Sequence, residues 1–413
     1  MLSHFTKTLA TSALIAAWST TSGVAFAQGS RSVDTVIVNN SAAPARTNSD
    51  ILRAKPYKNP LPRPLRSEIR DIFGPVTGFP GATTSQSQRG AAIQSRSSTA
   101  ARANGSFLIP FTGGRVEVGT SIQASSVGQK YLSSTYPYSA IGRLDFDKGH
   151  CSASVIRRGV IVTAAHCIQN FGSGNNTFKG FEFRPAFWSD GSSISTPYGV
   201  WKWAALMRPS TWANGTDTGS GAARNNDLAV IALAPQSGVF VGDRTGWLGY
   251  GWNNFSFITS GRTGNRTTAQ VKTLGYPGLM DSGRVMQMTD GPSYLVAVRG
   301  AGNIEQGSYL TGGSSGGPWI ANFNVNYPTF SGGANAGLNA LRLVVVGVTS
   351  YGAADPNNPK DNFSSQFRQN AQYPNAAYGT YGAGNIASLL NTLCSSKPPG
   401  SASTFAQLGY CNG

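Results

Sequence analysis

The pattern of apolar and polar positions changes character once along the chain. Up to about residue 130, beyond an apolar start, long apolar patterns are scarce. From Tyr131 onward, short apolar or alternating runs recur, separated by Gly, Asn and Pro. They are Ile141–Phe146, Cys151–Ile156, Val160–Thr163, Phe181–Arg184, Leu228–Leu233, Val271–Leu274, Arg284–Met288, Tyr294–Val298 and Leu341–Ser350. Many short strands joined by Gly-rich turns predict an antiparallel, all-β architecture. One helix is predicted near the end, where Ile386, Leu389, Leu390 and Leu393 recur at i, i+3, i+4 and i+7, with Asn385 as its N-cap. The roughly 280 residues of this part suffice for two barrels rather than one. No internal repeat is visible in the sequence.

The first residues read as an address. His4 and Lys7 precede an apolar stretch through Leu9, Ala13, Leu14, Ile15, Ala16, Ala17 and Trp18, and small residues end in Ala25-Phe26-Ala27. This pattern predicts a signal peptide over 1–27, cut after Ala27. The apolar run is shorter than the ~20 residues of a membrane span. A secreted protein is therefore expected, extracellular or periplasmic, with no membrane attachment once the signal is removed. Residues 28–130 are rich in Ser, Ala, Gly, Arg and Pro, with prolines at 56, 60, 62 and 64 and a low-complexity stretch from Ala82 to Gly105. Such a composition buries little apolar surface against its ordering entropy. It is read as a propeptide of a zymogen or a flexible leader, ahead of a folded domain over 131–413.

Composition adds two constraints. The four cysteines suit an oxidising compartment and allow three pairings. Proximity in sequence favours Cys151 with Cys167 and Cys394 with Cys411, each closing a loop worth roughly 3 kcal/mol. The formal net charge is +16. The basic residues are scattered without a stripe or run, so no nucleic-acid partner is expected.

Histidine is scarce: His4, His150 and His166 are the only three. His166 follows an apolar strand in Val162-Thr163-Ala164-Ala165-His166-Cys167. Small residues and a neighbouring disulfide to Cys151 would hold the imidazole still, as a general base requires. Ser315 lies in Gly312-Gly313-Ser314-Ser315-Gly316-Gly317. So many glycines are costly in chain entropy unless backbone N–H groups must converge on a point. The amides of Gly313 and Ser315 would then form an oxyanion hole, worth roughly 3 kcal/mol per donor. Asp227 sits at a polar turn entering Leu228–Leu233, and a carboxylate there needs a partner. The imidazole of His166 is the expected one. The other acids between His166 and Ser315 (Asp190, Asp217, Asp243, Asp281 and Asp290) lie in turn-like contexts.

At these residues the chain resembles the trypsin-like (chymotrypsin-fold) serine peptidases. TAAHC around His166, NDLAVIAL from Asn226 and GSSGGP around Ser315 match in the family's order. The resemblance implies two antiparallel β-barrels with the active site between them. His166 and Asp227 would come from the first and Ser315 from the second. It also implies that Val348–Gly352 is the substrate-binding strand, where Ser350 and Gly352 would pair with the substrate backbone and Tyr351 would also line the substrate site. Tyr309 would stand at the base of the specificity pocket, where Arg/Lys-specific members carry Asp. Ser314 occupies the position of the Asp that switches on trypsin-type zymogens, so activation by that salt bridge is not expected. FRPAF, PYGVW and LGYPG look closer to bacterial glutamyl-endopeptidase-like relatives. No spare histidine is left for a glutamate pocket, which argues against strict Glu specificity.

The reading is a monomeric serine endopeptidase acting on protein or peptide substrates, without cofactor or metal. Three rivals differ from it. An α/β-hydrolase would place its histidine after the serine, and none follows Ser315. A structural zinc could use His150, Cys151, His166 and Cys167. A catalytically inactive, peptidase-fold binding protein would be expected to have lost a triad member.

Overall fold

Two six-stranded barrels, each closed on itself, form the framework of the described chain. The computed structural model describes residues 36–39, 46–61, 109–116, 132–259, 266–323, 341–352 and 361–413. The expected signal peptide and the low-complexity stretch Ala82 to Gly105 lie outside them. The first barrel is built from β1 (Ile141–Phe146), β2 (Gly149–Arg157), β3 (Val160–Thr163), β4 (Glu182–Pro185), β5 (Trp201–Met207) and β6 (Ala229–Leu233). Its order is β1-β2-β3-β6-β5-β4, and β4 pairs back onto β1. The second is built from β7 (Thr267–Gly275), β8 (Gln287–Val298), β9 (Ala301–Gly307), β10 (Pro318–Ala321), β11 (Val344–Gly352) and β12 (Asp361–Gln366). Its order is β7-β8-β9-β12-β11-β10, closed by β10 on β7. All twelve pairings are antiparallel. The fold is all-β, as the short runs predicted, and both barrels follow one topology.

Closure removes the exposed edges that an open sheet would offer to other chains. The largest apolar cluster joins β1 to β6 with Leu274, Ile320, Val345 and the C-terminal helix. A second, around Phe257, Val271, Ile304, Trp319, Val344 and Val346, belongs to the second barrel. The runs Arg284–Met288 and Tyr294–Val298 are parts of one neighbourhood: β8 runs unbroken from Gln287, so Asp290 lies within a strand and not at a turn. It pairs there with Lys272.

The C-terminal helix spans Gly384–Ser395, with Ile386, Leu389, Leu390 and Leu393 fully buried. Its N-cap is Ala383, not Asn385. Asn385 is buried inside the first turn, where its Oδ1 accepts from Arg368 N and its Nδ2 donates to Asn226 Oδ1. Cys394 is bonded to Cys411, which ties the helix to the chain end. The loop spans 17 residues. Replacing both cysteines by serine should lower unfolding free energy by about 3 kcal/mol, as a shift in the urea midpoint. Among the described residues, no helix is long and apolar enough to cross a membrane.

Pieces of the stretch read as a leader lie on the barrels. Ile37–Val38 pairs with β5, and Thr112–Arg115 pairs with β8. Between them, helix Asn48–Arg53 carries a capping box made by Thr47 and Asp50 and buries Ile51.

Candidate active site

Strand pairing brings His166 and Asp227 together. His166 lies in the tight turn Ala165–Cys167 just after β3, and Asp227 lies two residues before β6. β3 and β6 are neighbours, with Thr163 opposite Ala229. The Asp227 carboxylate accepts from His166 N at 2.9 Å and lies 2.8 Å from its Nδ1. Both side chains are buried, at 1% and 0% exposure. The Cys151–Cys167 disulfide joins the head of β2 to this turn. The two sulfurs and the imidazole lie close together, but each sulfur is bonded to the other.

A third group on Asp227 went unread in the sequence. Ser350 Oγ donates to Asp227 Oδ2 at 2.5 Å, across 123 residues of chain. The expected role of Ser350 was through its backbone alone. Below it, Asn226 N and Nδ2 donate to the buried Asp217 carboxylate at 2.8 and 2.9 Å. Asp217, itself in a loop as its context suggested but buried there, thus fastens the turn that carries Asp227.

Ser315 lies in the loop entering β10. Gly313 has φ +99, a conformation that favours glycine, and an added Cβ would meet Tyr276 O at 2.5 Å. In this loop the amide of Ser314 donates to Thr311 O, that of Gly316 to Thr349 O and that of Gly317 to Ser314 O. Those of Gly313 and Ser315 have no protein acceptor among the described residues. They are the pair expected to hold an oxyanion. Ser152 N, on β2, donates to Ser315 O at 2.8 Å, which ties the loop to the first barrel. Ser315 is 7% exposed. His166 Nε2 is buried without a hydrogen-bond partner, so its contact with the Ser315 hydroxyl is not made in this geometry.

On β11, the neighbour strand β10 pairs only as far as Val348, while β12 continues alongside through Gly352. The far edge of Ser350–Gly352 is therefore without a strand among the described residues, a position where an extended peptide can add. Tyr351 stacks on Phe363 with ring centroids 4.7 Å apart. Tyr309 points its hydroxyl at Gln287 Oε1 and Met288 O, both at 3.1 Å, so the hydroxyl is engaged on β8.

His150 is buried with Nδ1 and Nε2 each 3.2 Å from a carbonyl, of Ala54 and Tyr276. Burial and the nearby Arg143 push its pKa down to about 4. Burial pushes Asp217 up to about 6, with the Asp227 charge adding to the effect. Their linkages have opposite signs. His150 gives stability that is present above about pH 6.5 and lost as pH falls toward 4. Asp217 regains stability as pH falls from about 6 toward 3.8. The two offset each other in the same window. Asp217→Asn should therefore lose stability more steeply on acidification than the parent, by up to about 1.4 kcal/mol per pH unit. Denaturant melts between pH 7 and 4 check the slope; equal slopes would contradict the assignment.

No family model matches the chain. Over 187 residues it is 30% identical to a glutamyl endopeptidase of Bacillus licheniformis, a match covering 45% of this chain and 50% of that protein. The chain resembles the glutamyl endopeptidases. It spans about half the length of that curated relative. Solved structures similar to it include the thermostable serine protease AL20 from an extremophilic microorganism, at TM-score 0.42 and 23% identity, covering 56% of this chain and 92% of that one. Protease Anisep from Arthrobacter nicotinovorans gives TM-score 0.41 and 22% identity, covering 57% and 93%. A Glu endopeptidase solved with MPD gives 0.39 and 19%, covering 57% and 88%. The likeness to a glutamyl endopeptidase is the resemblance expected from FRPAF, PYGVW and LGYPG.

Proposed function

We propose that the chain is a secreted serine endopeptidase whose triad is His166, Asp227 and Ser315. The observation that carries this reading is the buried His166–Asp227 pair, whose imidazole keeps Nε2 without another partner. Asp227 fixes the tautomer with the proton on Nδ1, leaving Nε2 as the base. The contact between the Ser315 hydroxyl and that nitrogen would form when substrate binds, as catalytic contacts often tighten only then. Ser315 Oγ then attacks the peptide carbonyl and His166 takes its proton. The Gly313 and Ser315 amides hold the oxyanion. His166 returns the proton to the leaving amine, and water, deprotonated by the same imidazole, releases the acyl group. Ser350–Gly352 would pair with the substrate backbone.

Tyr309 supplies no negative charge and no histidine is left to serve a glutamate pocket, so neither strict Arg/Lys nor strict Glu cleavage is expected. Digestion of a peptide library by the secreted form, its N-terminus sequenced, tests the reading. Internal peptide-bond cleavage is the expected result. Cleavage of esters with no peptide bond cut would overturn it.

A further inference from the structure

One piece of the leader crosses the candidate active site. Helix Asn48–Arg53 is anchored by the buried Arg143 guanidinium, which donates to Ile51 O at 2.9 Å. The chain then brackets His150: His150 N donates to Lys55 O at 3.0 Å, and Tyr57 N donates to His150 O at 2.9 Å. This is a parallel bridge centred on Pro56. The Tyr57 ring lies over the His166 imidazole, with centroids 6.2 Å apart and planes 22° from parallel. Phe146 and Phe178 meet the same ring edge-on, and its hydroxyl donates to Asn170 Oδ1.

The strand of leader also touches the nucleophile loop. A Cβ added at Gly313 would lie 3.1 Å from Pro56 Cβ, and one at Gly312 would lie 3.2 Å from Lys58 Cγ. Asn59 is buried, and Leu61 packs against the cluster of Ala222, Ala223, Ala301 and Tyr351. The path thus runs from the head of β2, past the base and the nucleophile loop, to the cluster that holds the candidate substrate strand's Tyr351.

We propose that this face is a binding site for an extended, proline-flanked, tyrosine-centred peptide, and that residues 54–61 occupy it in cis as an inhibitory strap. The proposal rests on the peptidase reading above. Two features separate the strap from a substrate. Pro56 and Pro60 have no N–H with which to extend a sheet. Among the described residues, no backbone hydrogen bond joins the strap to Ser350–Gly352. The strap lies over His166 and against Gly312 and Gly313 without lying along the edge where a substrate strand adds. Tethering makes even weak contact sufficient. At an effective concentration of about 1 mM, a segment that binds at about 0.1 mM as a free peptide occupies its site roughly nine-tenths of the time.

The test uses the full chain, its leader shown intact by mass spectrometry, and reads kcat/KM on an extended chromogenic peptide. Tyr57→Ala should raise kcat/KM about tenfold, and Leu61→Ala should raise it less. Tyr57→Phe keeps the ring and should stay near the parent. The free peptide AKPYKNPL should reverse the gain of Tyr57→Ala. If Tyr57→Ala fails to fold, an increase in folded Leu61→Ala still supports the strap. Equal rates in the parent and every folded variant would overturn it. Failure of the peptidase reading looks different: parent and variants alike would neither hydrolyse peptides nor react with a fluorophosphonate.

Discussion

Ser315→Ala should leave a folded protein that cleaves peptides roughly 10⁶-fold more slowly than the parent, because the triad acts as a unit. The side chain is small, and the loop around it is held through backbone atoms: Ser152 N to Ser315 O, Gly316 N to Thr349 O and Thr349 N to Gly317 O. None of these needs the Ser315 hydroxyl, so little stability is lost. The Gly313 and Ser315 amides survive the change and keep a residual rate of about 10³–10⁴ over water. Single-turnover rates paired with thermal melts check both halves. Activity within tenfold of the parent would mean that another group is the nucleophile.

Asp227→Asn should cost about 10⁴ in kcat while KM changes little. The carboxylate is fully buried and accepts from His166 N, His166 Nδ1 and Ser350 Oγ. An asparagine has one acceptor oxygen for these three donors, and its amide would face a proton or select the other tautomer of His166. That tautomer carries its proton on Nε2, where the base is needed. A loss confined to KM would instead place Asp227 in substrate binding.

Much of the barrel framework could be read from the chain because its strands are apolar. Val160–Thr163 and the run into β6 are nearly pure aliphatic sequence, and they are also the strands that carry His166 and Asp227. β12 could not be read that way. Its Asp-Asn-Phe-Ser-Ser-Gln sequence looks like a loop, yet strands flank it on both sides and two of its polar side chains are hydrogen-bonded internally, Asn362 Nδ2 to Ser308 Oγ and Ser365 Oγ to Asn225 O. The shared strand order of the two barrels left no sequence repeat, since it is set by pairing and not by residue identity.

The candidate site divides in the same way. His166, Asp227 and Ser315 announce themselves through local motifs and the scarcity of histidine. The Ser350 hydroxyl on Asp227 and the Tyr57 ring over His166 are contacts between distant segments, and neither leaves a local pattern. Tyr57 sits in a stretch whose composition argues against structure. It is ordered by what the barrels offer: two backbone groups of His150, the guanidinium of Arg143 and two phenylalanine edges.

The central claim is that Ser315 is the nucleophile activated by His166. Fluorophosphonate labelling of the folded protein, with the adduct mapped by mass spectrometry, tests it most directly. A single adduct on Ser315, lost in His166→Ala, is the predicted result. No adduct after prolonged exposure of folded protein, or one on a different serine, would contradict it.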